Sequence, residues 1–398
     1  MQTTNLNELP PELLTYLLCI VPSKHLLNLT NVSRRFKALL ATPDSDIWKQ
    51  KFSRIFLRTN VGRYIGRPHI LKNCMDNPPY DRRLACAHVE QIPNLKKETI
   101  EIDSGIMTLT GLSDHSAVFG NRTGCIGLVN LTEKSDSDNI YEIHEQPLVS
   151  NWIMSVKALK DGSVSAYSTA GMIHVCKISS SGLRVEAEWN TSSRVMVQLA
   201  SELIWLGCMN GLMMVIDRRC PNVFTTFTVN HRTAISCINF LPKNSNTLVI
   251  GSLNKTLCVY DIRDTSRKLQ QETCPWTPID ILSSQLGAIL YTNHIQRCHM
   301  NTDVIDLTDD IISRSYDNAE NARAIIYNGC FNLLSKSGKL SFLNPFTMSP
   351  LTNHSLQLNC DVSHTDCYAM NATNNSLWIS CMNHEISRVN WPVDTLLS

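Results

Sequence analysis

The feature that most constrains this chain is a phrase that recurs seven times between about residue 120 and its end. A strand closes in small residues, a tight turn follows, and an apolar strand begins. The copies fall at 121–126, 169–173, 209–213, 253–257, 292–295, 336–340 and 382–386. With Gly124, Gly171, Gly211, Lys255, His294, Gly338 and His384 as markers, successive copies lie 39 to 47 residues apart. That period belongs to four-stranded propeller blades, which bury their faces only against neighbouring copies. Asn and Gly suit the turns because they tolerate positive φ.

Seven markers imply seven blades. Apolar strands are expected over 195–199 and 235–240, and an outer strand over 223–227. The last copy leaves no room for its own outer strand. A spare strand at 99–102 precedes the first copy and is expected to pair with the last blade, closing the ring and removing an open edge. The expected fold is a small all-α domain over 6–56, a connector over 57–97, and an all-β propeller over 98–392. A sandwich or barrel with the same strands is the competing architecture.

The first sixty residues carry helical spacing instead. Pro10 and Pro11 suit a first turn, whose N–H groups have no intrahelical partner. Leu13, Leu14, Leu17 and Leu18 make one broad apolar face. Pro22 stops that helix, and Ser23 is placed to cap the next. Asn31 is expected to cap a third helix, and a fourth carries Ile47, Trp48 and Phe52. Four short helices cannot bury so much leucine among themselves, so a partner surface or the rest of the chain must accept it.

Leu9-Pro10-x-Glu12-Leu13-Leu14, Leu17-Leu18, Val32-Ser33-Arg34-Arg35-Phe36 and Trp48-Lys49-Gln50-Lys51-Phe52 together resemble the F-box. The resemblance implies binding to the Skp adaptor of cullin–RING ubiquitin ligases, through Leu9, Pro10, Leu13, Leu14, Leu17, Val32 and Trp48. The repeats resemble the WD family more faintly. The fourth is the best copy, with His231, Leu248 to Ser252 and Val259 to Arg263. Together the two resemblances imply the substrate-recognition subunit of a Skp–cullin–F-box (SCF) ligase, partnered by the Skp adaptor and, through it, cullin and RING subunits. Such a receptor is not an enzyme, and its contribution is positioning.

The composition agrees with a globular chain. Apolar residues make up 43%, and the formal net charge of +1 gives no field for nucleic acid or an anionic membrane. No run reaches the length of a membrane span. The first residues lack the basic start and apolar core of a signal peptide. The fifteen cysteines are scattered with no C-x-x-C pair, which argues against a disulfide framework or zinc site and for a reducing compartment, cytosol or nucleus. No P-loop, nucleophile elbow or H-E-x-x-H occurs, so no catalytic residue, metal or cofactor is expected.

Three further segments invite a functional reading. Large or cationic residues are expected where inner strands open: Trp152, Arg194, Arg232, Trp276 and Arg323. Arg and Trp are common interface anchors, and converging arginines would suit an acidic or phosphorylated degron. They would equally serve to brace neighbouring blades. Residues 216–219 and 260–263 hold the x-Asp-x-Arg pattern that some WD receptors present to a cullin-4 adaptor, or that knits a blade together. A pure scaffold is the remaining alternative. Val304, Ile305 and Leu307, followed by Asp309 and Asp310, resemble a SUMO-interacting motif, a reading that competes with an ordinary outer strand. The connector holds eight Lys or Arg against three acids, which suits a basic patch or a solvated linker.

Overall fold

A computed structural model describes residues 9–42, 45–57, 82–132, 140–179, 182–220, 224–229, 232–241, 244–274, 277–278, 280–284, 287–291, 295–301, 304–311, 321–327, 330–335, 338–343, 350–358, 367–373, 376–381 and 384–390. Helices come first: α1 (Pro11–Ile20), α2 (Ser23–Leu29), α3 (Arg34–Leu40), α4 (Asp46–Leu57) and α5 (Arg82–Gln91), followed by one 3₁₀ turn at Ile92–Asn94. All remaining elements among the described residues are strands.

Proline decides where α1 and α2 start and stop. Pro10 occupies the N-cap of α1, and extended Val21 before Pro22 ends it. The cap of α3 is Ser33, whose Oγ accepts from Phe36 N at 3.2 Å, so the cap expected at Asn31 falls two residues later. Leu14, Leu18, Phe36, Leu40, Ile47, Trp48 and Phe52 form the buried interior of this unit.

The connector expected over 57–97 is structured in its second half. Ala85, Cys86, Val89 and Ile92 are buried at helical spacing, and α5 packs on α2 and α4. Glu90 clamps it there, pairing with Lys51 Nζ at 2.7 Å. Lys51 Nζ also donates to Val21 O at 2.8 Å. Small apolar residues give a weak periodic signal, which is why this helix is hard to read from sequence. Residues 58–81 lie outside the described part.

Among the described residues there are seven antiparallel four-stranded sheets. The first six run in chain order over 106–147, 153–190, 195–228, 235–273, 280–311 and 321–357. The seventh joins Cys367–Ala372, Ser376–Cys381 and Glu385–Asn390 to a strand from far upstream, Lys96–Glu101. That strand pairs along its whole length with the last, from Lys96 opposite Asn390 to Glu101 opposite Glu385. The β domain is thus propeller-like, and its first strand starts at Lys96 rather than at 98 or 99.

Among the described side chains, burial is greatest in the second strands of the sheets. Second strands Val164–Ser168 and Ile204–Cys208 are buried at every residue, because neighbouring sheets cover both faces. The outer strand Asp264–Thr273 has no fully buried residue. Each inner strand touches the next sheet's inner strand, and the last, Cys367–Ala372, touches the first, Ile106–Ser113.

The marker turns join second to third strands. Gly124, Gly171, Gly211, Lys255, Gly338 and His384 all have positive φ, between 66° and 85°. His294 lies outside the described residues. At Gly124 (φ +85°) an added Cβ would also fall 1.8 Å from Val149 O, so only glycine fits.

One buried cluster joins the two parts. It runs from the helices through Ile92 to Leu340, Phe342, Leu358, Leu377 and Val389 of the sixth and seventh sheets. The helical unit therefore shares a core with the sheets it precedes.

Candidate functional site

Two surfaces present clusters of exposed side chains. The first is the outer side of α1. Leu14 and Leu18 face inward, but Leu13, Tyr16, Leu17 and Ile20 are all exposed. Their spacing of i, i+3, i+4 and i+7 puts them on one stripe. Val32 and Pro10 are also exposed. A helix apolar on both faces needs a cover for its outer one.

The structure sorts the residues expected to meet the adaptor. Pro10, Leu13, Leu17 and Val32 are exposed, and Leu9 is half-buried. Leu14 and Trp48 are fully buried core residues, and the Trp48 indole donates to Leu40 O at 2.9 Å. Both therefore lie in the interior, off the exposed stripe. Tyr16 and Ile20 share the exposed stripe, and their spacing from Leu13 is the signal for it in the sequence.

The second surface is the rim where inner strands open. In four sheets the first residue of the second-to-third-strand turn donates its N–H to the residue just before an inner strand. Arg122 N reaches Gly105 O (3.0 Å), Thr169 N reaches Trp152 O (2.9 Å), Met209 N reaches Arg194 O (2.9 Å) and Leu253 N reaches Ala234 O (2.9 Å). These pairs are equivalent positions in four successive sheets. Trp152 and Arg194 thus sit where expected. Arg232 lies two residues before the equivalent position, held by Ala234. Arg323 is the third residue of its strand, opposite Leu334, so it does not open the strand; its side chain lies outside the described part, as does Trp276 entirely. The turn before each inner strand varies in length, which spoils alignment by sequence alone.

This rim is apolar as well as cationic. Beyond the helices, the exposed large apolar residues among those described are Ile143, Trp152, Met196, Met209, Leu253 and Leu269. Four of these six belong to the rim. Inner strands contribute through a bulge near their first residue, seen between Ile106 and Thr108, Ile153 and Ser155, and Val195 and Val197. The bulged residues are Met107, Met154 and Met196, and a bulge re-aims its side chain. Arg122 lies 5.3 Å from the Trp152 ring centroid and donates from Nε to Met107 Sδ at 3.4 Å.

The opposite rim carries the x-Asp-x-Arg ends. Arg219 Nε donates to Asp217 Oδ1 at 2.9 Å and Nη2 to Oδ2 at 2.7 Å. Arg263 Nε likewise donates to Asp261 Oδ1 at 2.9 Å. Each guanidinium holds its own aspartate down to about 2, well below the carboxylate norm. Arg218 bridges to Asp161 of the neighbouring sheet at 2.8 Å. These arginines pair with aspartates of the same protein.

A buried node ties the upstream strand to its sheet. Arg388 pairs with Glu98 at 2.9 Å and lies 5.8 Å from the Trp378 ring centroid. The Tyr141 hydroxyl donates to the same carboxylate. Burial, then the Glu98 bond, pushes the Tyr141 phenol upward. His174 is buried with neither ring nitrogen hydrogen-bonded. Residues Val304–Ile311 form the outer strand of the fifth sheet. It leaves its register between Leu307 and Ile311, around the acidic pair, and its side chains lie outside the described part. Among the described residues no group of His, Cys, Asp or Glu could hold a metal, and no helix is long and apolar enough to cross a membrane.

Residues 6–48 match the F-box domain. No curated protein matches the chain. Among solved structures the chain is similar to selenomethionine-substituted virginiamycin B lyase from Staphylococcus aureus. The identity is 15%, the match covers 74% of this chain and 99% of that one, and the TM-score is 0.58. At that identity the likeness is one of fold.

Proposed function

Taking the F-box at residues 6–48 as the premise, we propose that this chain is the substrate-recognition subunit of an SCF ubiquitin ligase. An F-box indicates an SCF substrate-adaptor role in general. The observation that carries the reading is the exposed stripe Leu13, Tyr16, Leu17 and Ile20, within the matched segment and apolar where a lone helix would be polar. The Skp adaptor covers that stripe, and cullin and RING subunits follow through it.

The sheets hold the substrate. We read them as the seven blades of a closed WD-like ring. The chain of inner-strand contacts that returns from Cys367–Ala372 to Ile106–Ser113 supports closure, as does the pairing of Lys96–Glu101 with Glu385–Asn390. The rim bearing Trp152 and Arg194 offers the substrate surface, and bound proteins are marked for degradation in the cytosol or nucleus. The chain contributes position rather than chemistry. The shared core between helices and sheets suits that role, because it holds the two surfaces in fixed relation.

Co-purification of the full chain from cells is the test. Recovery of the Skp adaptor together with a cullin is expected. Recovery of the adaptor without any cullin would make the chain a scaffold instead. Failure to recover the adaptor would remove the premise.

A further inference from the structure

The two rims of the sheets treat their charges in opposite ways. In the turns of the first four sheets, every described cation on the rim opposite Trp152 has an acidic partner. Lys160 pairs with Glu202 (3.2 Å), Arg218 with Asp161 (2.8 Å), Arg219 with Asp217 (2.7 Å), and Arg263 with Asp261. The rim of Trp152 carries Arg122, Arg194, Arg232 and Lys255 in its turns, with Asp103 as the one acid among their described residues. Arg194, Arg232 and Lys255 are exposed and make no ion pair among the described residues. They are interleaved with exposed Trp152, Met196, Met209 and Leu253.

Exposed Arg194, Arg232 and Lys255, with no ion pair among the described residues and beside that rim's exposed apolar residues, describe an anionic ligand with an apolar anchor. We propose that this rim binds an extended peptide segment in which a large apolar side chain is flanked by carboxylates. This rests on the receptor reading above and names its substrate class. The apolar side chain lies among Trp152, Met196, Met209 and Leu253, where the flexible thioethers adapt to its shape. The flanking acids meet Arg194 on one side and Lys255 and Arg232 on the other. These cations come from the third and fourth sheets, so their spacing fits separate carboxylates. A single phosphate would need several guanidinium groups aimed at one point.

The test uses the full chain bound to its Skp adaptor, immobilised and panned against a displayed library of random twelve-residue peptides. A synthetic library containing phosphoserine runs in parallel. Recovered unphosphorylated peptides should combine Asp or Glu with Trp, Phe, Leu or Met. Their recovery should fall at least tenfold with Arg194→Glu plus Lys255→Glu, and also with Trp152→Ser plus Met209→Ser. All four residues are exposed, and unchanged melting of the variants checks that the fold is kept. Raising the salt concentration should weaken capture by the parent chain. Retention of phosphopeptides alone overturns the proposal, as does acidic enrichment that survives the charge reversal. No enrichment over the adaptor alone overturns it as well, while cullin co-purification would leave the ligase reading intact.

Discussion

The outer stripe of α1 makes a prediction whose size can be worked out. Leu13 is 54% exposed and Leu17 41% exposed, whereas Leu14 between them is at 0%. Fully burying a leucine side chain is worth about 1.5–3 kcal/mol. Covering the exposed half of Leu13 or Leu17 therefore contributes about 1 kcal/mol each. Leu13→Gln with Leu17→Gln should remove about 2 kcal/mol from adaptor binding, roughly a 30-fold rise in Kd. Gln keeps a good helix propensity, so the melting temperature should stay within about a degree or two. Leu14→Ala should do the reverse. It leaves a cavity in the helical core, costs about 2–5 kcal/mol of stability, and weakens binding only by unfolding the unit. Titration calorimetry against purified Skp adaptor, with a thermal melt of each variant, separates the two effects. A Kd unchanged within twofold in the double Gln variant would refute the assignment of this face.

Three other outcomes are expected. Glu98→Ala leaves the Arg388 guanidinium, 3% exposed, without its carboxylate; unfolding in urea should show a loss of about 3–5 kcal/mol, and a loss below about 1 kcal/mol would mean that the pair is not a fastening. His174 is held below its usual value of 6.5, mainly by burial, which Glu188 only partly opposes. The unfolded chain then binds a proton that the folded chain refuses, so His174 contributes full stability above about pH 6.5 and loses it as the pH falls toward its folded value. The urea midpoint should drop between pH 7.5 and 5.5 more steeply in the parent than in His174→Gln, and parallel curves would contradict this. Val304–Ile311 has an edge free of strand pairing among the described residues; if it serves as a SUMO-interacting strand, Val304→Ala with Leu307→Ala should abolish retention on a SUMO column with little change in melting, and retention by neither protein leaves an ordinary outer strand.

Local chemistry was legible in the sequence and tertiary sorting was not. The markers were chosen for small or turn-forming residues, and six of them adopt the positive φ such turns demand, Lys255 and His384 included. Backbone geometry repeats with the period, so a period alone finds it. The side chains of α1 gave no such guide. Leu13 and Leu14 are identical in kind and adjacent, and only tertiary packing decides that Leu14 joins the buried cluster of Phe36 and Trp48. Helix α5 was hidden because Ala85, Cys86 and Val89 bury little area each and follow two arginines. On the rim, the positions of Trp152 and Arg194 are legible because these residues directly precede their strands. Arg232 and Arg323 were misplaced by differences of two or three residues. The charge contrast between rims was invisible until topology assigned each turn to a side.

The pairing of Lys96–Glu101 with Glu385–Asn390 also sets a timetable. Glu98 and Arg388 are 290 residues apart. The length-dependent chain entropy of bringing such ends together is about 5 kcal/mol, against about 2 for an eight-residue hairpin. At roughly 5–20 residues per second, the early strand waits about 15–60 s on the ribosome before its partner exists. An unpaired edge held open that long invites mispairing. The strand's composition answers the hazard: Lys96, Lys97, Glu98 and Glu101 leave Ile100 as its one buried residue. Charge thus protects the strand during synthesis. One of those charges, Glu98, later becomes the partner of Arg388.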